Sequence, residues 1–177
     1  MRFKSPAMAP SEIRGPDLAG VVADADAAGL EYVVIGGFAV IAHGYPRSTK
    51  DSDLLVPDGT ESDAAIARFL ELSEARRYSD GKQLGVEDIR DADHLRVDSR
   101  HGVIDLMRGG LSPLDYETVA ADAIDASFRG NQVRVASLAS LVGFKRLADR
   151  TQDRADLEAL ERANVELPIE RIPGLDD

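Results

Sequence analysis

The most constraining feature of the sequence is the stretch from Ile35 to Val56, which reads IGGFAVIAHGYPRSTKDSDLLV. Its first apolar run ends in Gly36 and Gly37, and its second begins with Asp51 and Asp53. Short apolar runs with this punctuation are typical of buried strands. The thirteen residues between the two pairs are enough for a short helix and a return loop. The stretch therefore predicts strand, helix and strand, with both pairs facing one cleft.

The two carboxylates are predicted to point to the same side of their strand, because side chains alternate along a strand. Like charges repel, and such a pair suits one or two hard divalent cations, which prefer carboxylate and phosphate oxygens. Gly36 and Gly37 would leave backbone N–H groups free for a phosphate where the strand turns into the helix. Two simpler alternatives are a plain tight turn at the glycines and a turn-capping role for Asp51 or Asp53.

Context distinguishes this pair, because the spacing alone carries little information. With 32 acidic residues in 177, roughly six acid-x-acid pairs are expected by chance. Only Asp51 and Asp53 begin a β-type apolar run. A third carboxylate, Asp105, lies inside the apolar run VIDLM, where a lone aspartate needs a partner. A metal shared with Asp51 and Asp53 would be that partner.

Length and composition exclude several other classes of protein. At 177 residues we expect a single domain over residues 1–177, with a core over about 15–130 and a C-terminal helical segment over about 136–165. The absence of cysteine excludes disulfides and thiolate metal sites. The three histidines lack zinc-ligand spacing, and no G-x-S-x-G motif is present. With neither a signal peptide nor a membrane-spanning run in the sequence, we expect a cytoplasmic protein.

The order of predicted elements indicates an α/β (α+β) fold, a mixed β-sheet with flanking helices. After an irregular lead-in over residues 1–15, the pattern predicts helices over 17–30, 38–44, 63–72, 137–148 and 152–163. Strands are predicted at YVVIGG and SDLLVP, in a hairpin of HLRV and GVIDLM that turns at Gly102, and over 119–127 and 132–135. Residues 78–93 are predicted as loop with a short strand.

The glycine pair, the spacer ending in RSTK and the run DSDLLV resemble the signature of the DNA-polymerase-β-like nucleotidyltransferase superfamily. That signature includes a third carboxylate on a later strand, which Asp105 matches, whereas Ser52 departs from it by standing where an apolar residue is usual. The segment 137–157 resembles the last segment of a branch of small bacterial stand-alone nucleotidyltransferases. That branch includes toxins of abortive-infection-type toxin–antitoxin pairs. The resemblance covers roughly residues 32–160.

The resemblance implies a polymerase-β-like fold and transfer of a nucleoside monophosphate from an NTP, such as ATP, to an acceptor hydroxyl, with release of pyrophosphate. It implies that Asp51, Asp53 and Asp105 are catalytic and hold two Mg²⁺ ions, which stabilise the entering and leaving oxygens. The residues expected to contact the nucleotide are Gly36, Gly37, Arg47, Thr49 and Lys145.

The sequence leaves two alternative roles open for each of Lys145, Arg47 and Thr49. Lys145 falls in the apolar stripe of its helix, and a buried lysine needs a partner, for which a phosphate is a good candidate. The alternative is that Lys145 extends along the stripe to solvent. Arg47 and Thr49 either contact the substrate or hold their loop. Asp153 is predicted to pair with Lys145 or Arg150.

The acceptor implied by the resemblance is an RNA, such as a tRNA end, or a protein, with a separate antitoxin protein as partner. A small molecule, as in antibiotic-modifying relatives, and a non-catalytic nucleotide-binding or interaction module on the same fold are the alternatives. The net charge of −11 argues against a broad basic surface. An RNA would therefore dock on the basic residues of segment 134–154, with steep salt dependence.

Overall fold

The computed structural model of the protein describes residues 15–177, which form nine strands and seven helices. The strands are β1 Val33–Ile35, β2 Asp51–Val56, β3 Arg76–Arg77, β4 His94–Ser99, β5 Gly102–Arg108, β6 Gly110–Leu111, β7 Leu114–Asp115, β8 Ile124–Phe128 and β9 Asn131–Val135. The helices are α1 Leu18–Ala28, α2 Gly36–Ala42, α3 Thr60–Leu72, α4 Val86–Arg90, α5 Tyr116–Asp122, α6 Leu138–Ala148 and α7 Thr151–Ala163.

Seven strands form one mixed sheet in the order β3-β4-β5-β2-β1-β9-β8, and β6 pairs with β7 separately. The central strand β2 is antiparallel to β1 and parallel to β5. The predicted α/β fold with a mixed sheet and flanking helices is therefore confirmed. Register places Asp53 beside Ile35 on one side and beside Asp105 on the other. The end of β1 and two acidic strand positions consequently meet at the middle of the sheet.

Two apolar clusters cover the two faces of β2. Leu54 belongs to the larger cluster, to which α1 and α3 contribute, and Leu55 belongs to a smaller cluster that includes Phe144 of α6. Alternation assigns Asp51 and Asp53 to the face of Leu55. Ser52 lies on the opposite face, fully buried, and its hydroxyl has no hydrogen-bond partner. The continuous run LLV is thus explained by a strand that is buried on both sides.

Several element boundaries follow directly from capping and turn residues. The Asp17 side chain accepts a hydrogen bond from the Gly20 N–H at 3.2 Å at the start of α1. The hairpin of β4 and β5 turns at Gly102, whose φ is +91°. Ser137 caps α6 by accepting from the Ser140 N–H at 3.1 Å. These features agree with the sequence predictions for the same segments.

Two predictions were wrong. Residues 78–93 contain the helix α4, held by the Asp88 carboxylate, which accepts from the Gly85 N–H at 2.8 Å, and by the fully buried Ile89. The five residues of α4 include only two apolar ones, Val86 and Ile89, too few to show a periodicity. Residues 119–122 belong to α5 rather than a strand, because Asp115 caps a helix there by accepting from the Thr118 N–H at 2.8 Å. The predicted lead-in over residues 1–15 lies almost wholly outside the described residues.

Within residues 15–177, no helix is both long and apolar enough to span a lipid bilayer.

Candidate active site

Three carboxylates converge at the centre of the sheet. One oxygen each from Asp51, Asp53 and Asp105 lies within 4.8 Å of the others. The parallel pairing of β2 with β5 causes this, because it sets Asp53 directly beside Asp105 with both side chains on one face. Asp105 is buried, and the other two are half-buried. The structure therefore brings together the three carboxylates that the sequence singled out.

Strand β4 adds two basic side chains to this group. Arg96 pairs in register with Asp105, and its Nη1 donates to Asp51 Oδ2 at 3.1 Å and to Asp105 Oδ2. His94 Nε2 lies 2.9 Å from Asp105 Oδ1. That contact is close but not aligned as a hydrogen bond, and Asp105 Oδ1 is a buried oxygen without a hydrogen-bond donor. The sequence analysis missed both His94 and Arg96.

The carboxylates disturb one another's ionisation. Burial and the charges of Asp51 and Asp105 raise the pKa of Asp53 from an ordinary 3.8 to about 7. Burial also raises the pKa of Asp105, against the lowering effects of Arg96 and His94. Within residues 15–177 Asp53 forms no ion pair, so nothing there fully compensates its charge. A site that holds protons in this way releases them when a divalent cation binds.

These residues fit a hard divalent cation such as Mg²⁺. The donor set is all carboxylate oxygen, the set that Mg²⁺ prefers. A buried oxygen of Asp105 lacks a donor, and burial together with the neighbouring negative charges raises the pKa of Asp53. A cation would satisfy both groups at once. The binding of two Mg²⁺ ions there stays a prediction.

The glycine pair forms a turn that presses against these carboxylates. Gly36 has a φ of +66°, and a Cβ atom on it would overlap the Asp53 carboxylate. A Cβ atom on Gly37 would lie 2.5 Å from Thr49 Oγ1. Helix α2 begins here without a side-chain cap, so its first N–H groups have no partner within the helix. The turn therefore combines close approach to the carboxylates with backbone donors for a phosphate.

We expect Gly36→Ala to disrupt the site far more than a glycine replacement with equal backbone strain. Gly29 is the matched control, because its φ is +67° and its nearest neighbour to an added Cβ is 4.0 Å away. Gly29→Ala should cost about 1 kcal/mol of stability from the left-handed backbone alone. Gly36→Ala should cost more and should also remove Mg²⁺ binding, measured by calorimetric titration. Equal stability and equal Mg²⁺ binding in the two variants would contradict the close packing against Asp53.

Arg47 and Thr49 hold the return loop before β2. Thr49 Oγ1 donates to the Asp51 carbonyl at 3.1 Å, and Arg47 Nη2 donates to Asp156 Oδ2 at 3.1 Å. Asp156 lies on α7 and is completely buried. The loop-holding alternative for these two residues therefore has contacts to support it, and their contact with a nucleotide stays a prediction.

Lys145 has two carboxylate partners inside the protein. Its Nζ lies 2.9 Å from Asp153 Oδ1 and 2.8 Å from Asp156 Oδ2, and only 5% of the residue is exposed. The alternative in which it extends to solvent was wrong. Arg150 Nε also donates to Asp153, at 2.7 Å. We call these residues the basic cluster: Arg47, Lys145, Arg150, Asp153 and Asp156.

A cavity of about 260 Å³ joins the carboxylates to the basic cluster. Asp53, Asp105 and Arg96 line it, and so do Lys145 and Arg150 of the basic cluster. Apolar side chains complete its wall, among them Met107, Leu141 and Phe144. Carboxylates that could bind a cation and positively charged side chains thus share one cavity, as a bound polyphosphate with its metal requires.

Comparison with solved structures identifies the fold. The crystal structure of ANT(2″)-Ia in complex with adenylyl-2″-tobramycin has a TM-score of 0.55 at 16% identity, over 84% of this chain and 91% of that one. The lincomycin-bound lincosamide antibiotic adenylyltransferase LnuA has a TM-score of 0.60 at 12% identity, over 83% and 96%. An antigenic nucleotidyltransferase-like protein from Paracoccidioides brasiliensis has a TM-score of 0.52 at 16% identity, over 88% and 78%.

The chain has the polymerase-β-like nucleotidyltransferase fold. No protein-family model matches the sequence, and no curated protein does. At identities of 12–16% the likeness is one of backbone architecture. The case for a function therefore depends on the carboxylates, the glycine turn and the cavity of this chain.

Proposed function

We propose that the protein is a nucleotidyltransferase that moves a nucleoside monophosphate from an NTP to an acceptor hydroxyl and releases pyrophosphate. The observation that carries the proposal is the convergence of Asp51, Asp53 and Asp105 beside the Gly36–Gly37 turn, where Gly36, Asp53 and Asp105 line one cavity. A cluster of three carboxylates in which Asp53 has no ion pair is costly for a scaffold. It is useful to an enzyme that binds metal and triphosphate together.

The carboxylates and the glycine turn would bind different parts of the metal–nucleotide complex. Asp51, Asp53 and Asp105 would hold the divalent cations, and bound Mg²⁺ would neutralise phosphate charge and favour ionisation of the acceptor hydroxyl. The backbone N–H groups of the Gly36–Gly37 turn would orient the phosphates. The negative charge of the carboxylates keeps the triphosphate away from this wall until a cation is present.

The basic cluster would supply positive charge to the same cavity. It holds three cations against two carboxylates. The charges of Lys145 and Arg150 act on Asp53 across the cavity, where they lower its pKa. Arg150 has the more exposed side chain, 75%, so it has the freedom to turn toward a phosphate. Lys145 is held in place and would act at a distance.

We propose a small hydroxyl-bearing molecule as the acceptor. In segment 134–154, which the sequence indicates for RNA docking, four basic residues already pair with carboxylates and Arg134 donates to the Ala120 carbonyl. Few cations there remain free for a polyanion. Two structural neighbours are bound to small molecules, one to adenylyl-2″-tobramycin and the other to lincomycin. An RNA or protein acceptor, with an antitoxin partner, stays a prediction from the sequence resemblance.

The test is to incubate the protein with each α-³²P-labelled NTP, Mg²⁺ and either the small-molecule or the macromolecular fraction of a cell lysate. We expect Mg²⁺-dependent label in a small molecule, and none with Asp51→Asn or with EDTA. Label in RNA or protein would overturn the acceptor proposal but keep the transferase. NTP binding that needs no metal, or no binding and no labelling, would favour the non-catalytic module.

A further inference from the structure

The Arg96 guanidinium occupies the gap between two of the three carboxylates. Its Nη1 contacts Asp51 Oδ2 at 3.1 Å and also Asp105 Oδ2, so one donor nitrogen bridges two strands. A divalent cation held by Asp51 and Asp105 would bind the same two carboxylates and add a second positive charge beside the guanidinium.

The charge of Arg96 is permanent, which makes it a reliable counter-charge. An arginine in a protein does not lose its proton. In the metal-free protein its charge offsets the repulsion between Asp51 and Asp105 and keeps their oxygens close. A doubly charged cation entering the same gap would repel the guanidinium, because both positive charges would lie against the same two carboxylates.

Arg96 also contacts Tyr78 while it pairs with the two carboxylates. Its guanidinium carbon lies 4.9 Å from the centre of the Tyr78 ring, within range of a cation–π interaction. The side chain is 40% exposed, and it lines both the 260 Å³ cavity and a neighbouring cavity of about 370 Å³ on the Tyr78 side. It can leave the carboxylates and keep a favourable contact.

Arg108 on the next strand shows what a purely structural arginine looks like in this fold. It is 7% exposed and donates to Asp58, Asp63 and the carbonyls of α4 and its end. That side chain lines neither of these two cavities, whereas Arg96 lines both. The contrast indicates that Arg96 is placed to move.

We propose that Arg96 is a positioning residue: a tethered counter-cation that holds Asp51 and Asp105 at coordinating distance until a divalent cation displaces it toward Tyr78. The inference rests on the proposed function, since the incoming cation is the one that the transferase would use. It adds that cation binding is an exchange of one positive charge for another, so wild-type affinity is set below what the carboxylates alone would give.

The test is calorimetric titration with Mg²⁺ alone at pH 8, without nucleotide, on wild type, Arg96→Gln and Arg100→Gln. Arg100 is the matched control, because it lies at the turn after β4 and pairs with Asp24, at 2.8 Å, outside the site. We expect Arg96→Gln to bind Mg²⁺ about tenfold more tightly, because the competing charge is gone. Arg100→Gln should match wild type.

A second measurement separates exchange from a simple loss of positive charge. Tyr78→Leu removes the contact that Arg96 would keep after it leaves the carboxylates. It should therefore weaken Mg²⁺ binding by roughly two- to fivefold when Arg96 is present. The same substitution in the Arg96→Gln background should have no effect. This double-mutant cycle detects coupling between the two residues. Equal effects of Tyr78→Leu in both backgrounds would overturn displacement toward Tyr78.

The metal-free unfolding temperature gives a readout that does not depend on activity. Arg96→Gln should unfold several degrees lower than wild type in EDTA, and saturating Mg²⁺ should restore most of the difference. Arg96→Lys keeps the charge but lacks the planar fork, so it should fall between the two in both stability and Mg²⁺ affinity. It also serves as the informative variant if Arg96→Gln does not fold without metal.

The outcomes separate this inference from the proposed function. If wild type binds Mg²⁺ and Arg96→Gln and Arg96→Lys bind it no more tightly, exchange is overturned and the transferase proposal stands. If neither wild type nor these variants bind Mg²⁺ in the presence or absence of NTP, both proposals fall. Tighter binding by Arg96→Gln, lost again in Asp51→Asn, supports both.

Discussion

Asp53→Asn is expected to make the metal-free protein more stable at neutral and alkaline pH while it removes nucleotidyl transfer. The pKa of Asp53 is raised to about 7 in the folded protein, from an ordinary 3.8 that applies when the chain is unfolded. Below pH 3.8 the group is protonated in both states. As the pH rises toward 7, the unfolded state releases its proton first, so this group lowers stability progressively.

The size of this effect follows from the shift. About three pKa units at 1.36 kcal/mol each amount to roughly 4 kcal/mol of lost stability above pH 7. An asparagine has no charge to bury, so the gain from Asp53→Asn should increase from pH 5 to pH 8 and reach roughly 2–4 kcal/mol. Transfer should fall by at least about a hundredfold, because a ligand of the catalytic cation is lost.

Urea denaturation in EDTA at pH 5 and pH 8, together with the labelled-NTP assay, measures both effects. Asp98→Asn is the matched control, because Asp98 is an exposed aspartate on β4 outside the site. It should change neither stability nor transfer. A pH-independent loss of stability in Asp53→Asn would mean that the carboxylate has a structural partner and that the site does not hold unrelieved charge.

Lys145→Met is expected to destabilise the protein by about 3–5 kcal/mol, because it leaves two buried carboxylates short of a cation. Asp153 and Asp156 are 1% and 0% exposed, and Lys145 Nζ lies within 2.9 Å of both. Adding Asp153→Asn to Lys145→Met should recover part of the loss, since one of the stranded charges is removed. Urea denaturation of the single and double variants measures this coupling.

Arg154→Met is the control for the loss of a cation from the same region. Arg154 pairs with Asp149 at 2.7 Å, but both side chains are well exposed, so stability should hardly change. The opposite pattern would assign Lys145 to the nucleotide. If Lys145→Met keeps wild-type stability and loses NTP binding, its carboxylate contacts are incidental and the phosphate role predicted from the sequence applies.

The sequence predicted the central part of the site because its signals are local. The strand β2, the turn at Gly36 and Gly37 and the isolated Asp105 each stand out from their neighbours in the chain. The convergence of Asp51 and Asp53 with Asp105 needed one further fact, that β2 and β5 are adjacent and parallel. The sequence predicted a partner for Asp105, but neither its patterns nor the resemblance specified that strand pairing.

Arg96 and His94 were missed although a signal for Arg96 was present. The hairpin turn at Gly102 was predicted, and pairing of Ser99 with Gly102 sets Arg96 opposite Asp105. The strand register that follows from this turn therefore predicts the contact between Arg96 and Asp105. His94 aligns with Met107 instead, and its side chain reaches Asp105 along the strand. That reach depends on side-chain direction, which register alone does not give.

Only some contacts of the basic cluster could be predicted from the sequence. A partner for Lys145 was expected from its burial, and Asp153 was named as one candidate. Asp156 was not, and its contact with Arg47 spans 109 positions of the chain. No local pattern marks a pair so distant. Only the packing of α7 against the return loop before β2 brings them together.

The location of β2 has a consequence for how such an enzyme would diversify. Two of the three carboxylates stand on a strand that is hydrogen-bonded along both edges and packed on both faces, so its amides should be among the last to exchange with heavy water. The proposed chemistry would thereby be anchored on a central strand that is packed on both faces. Loops and helix ends around the cavity are left free to vary, and with them the choice of molecule that receives the nucleotide.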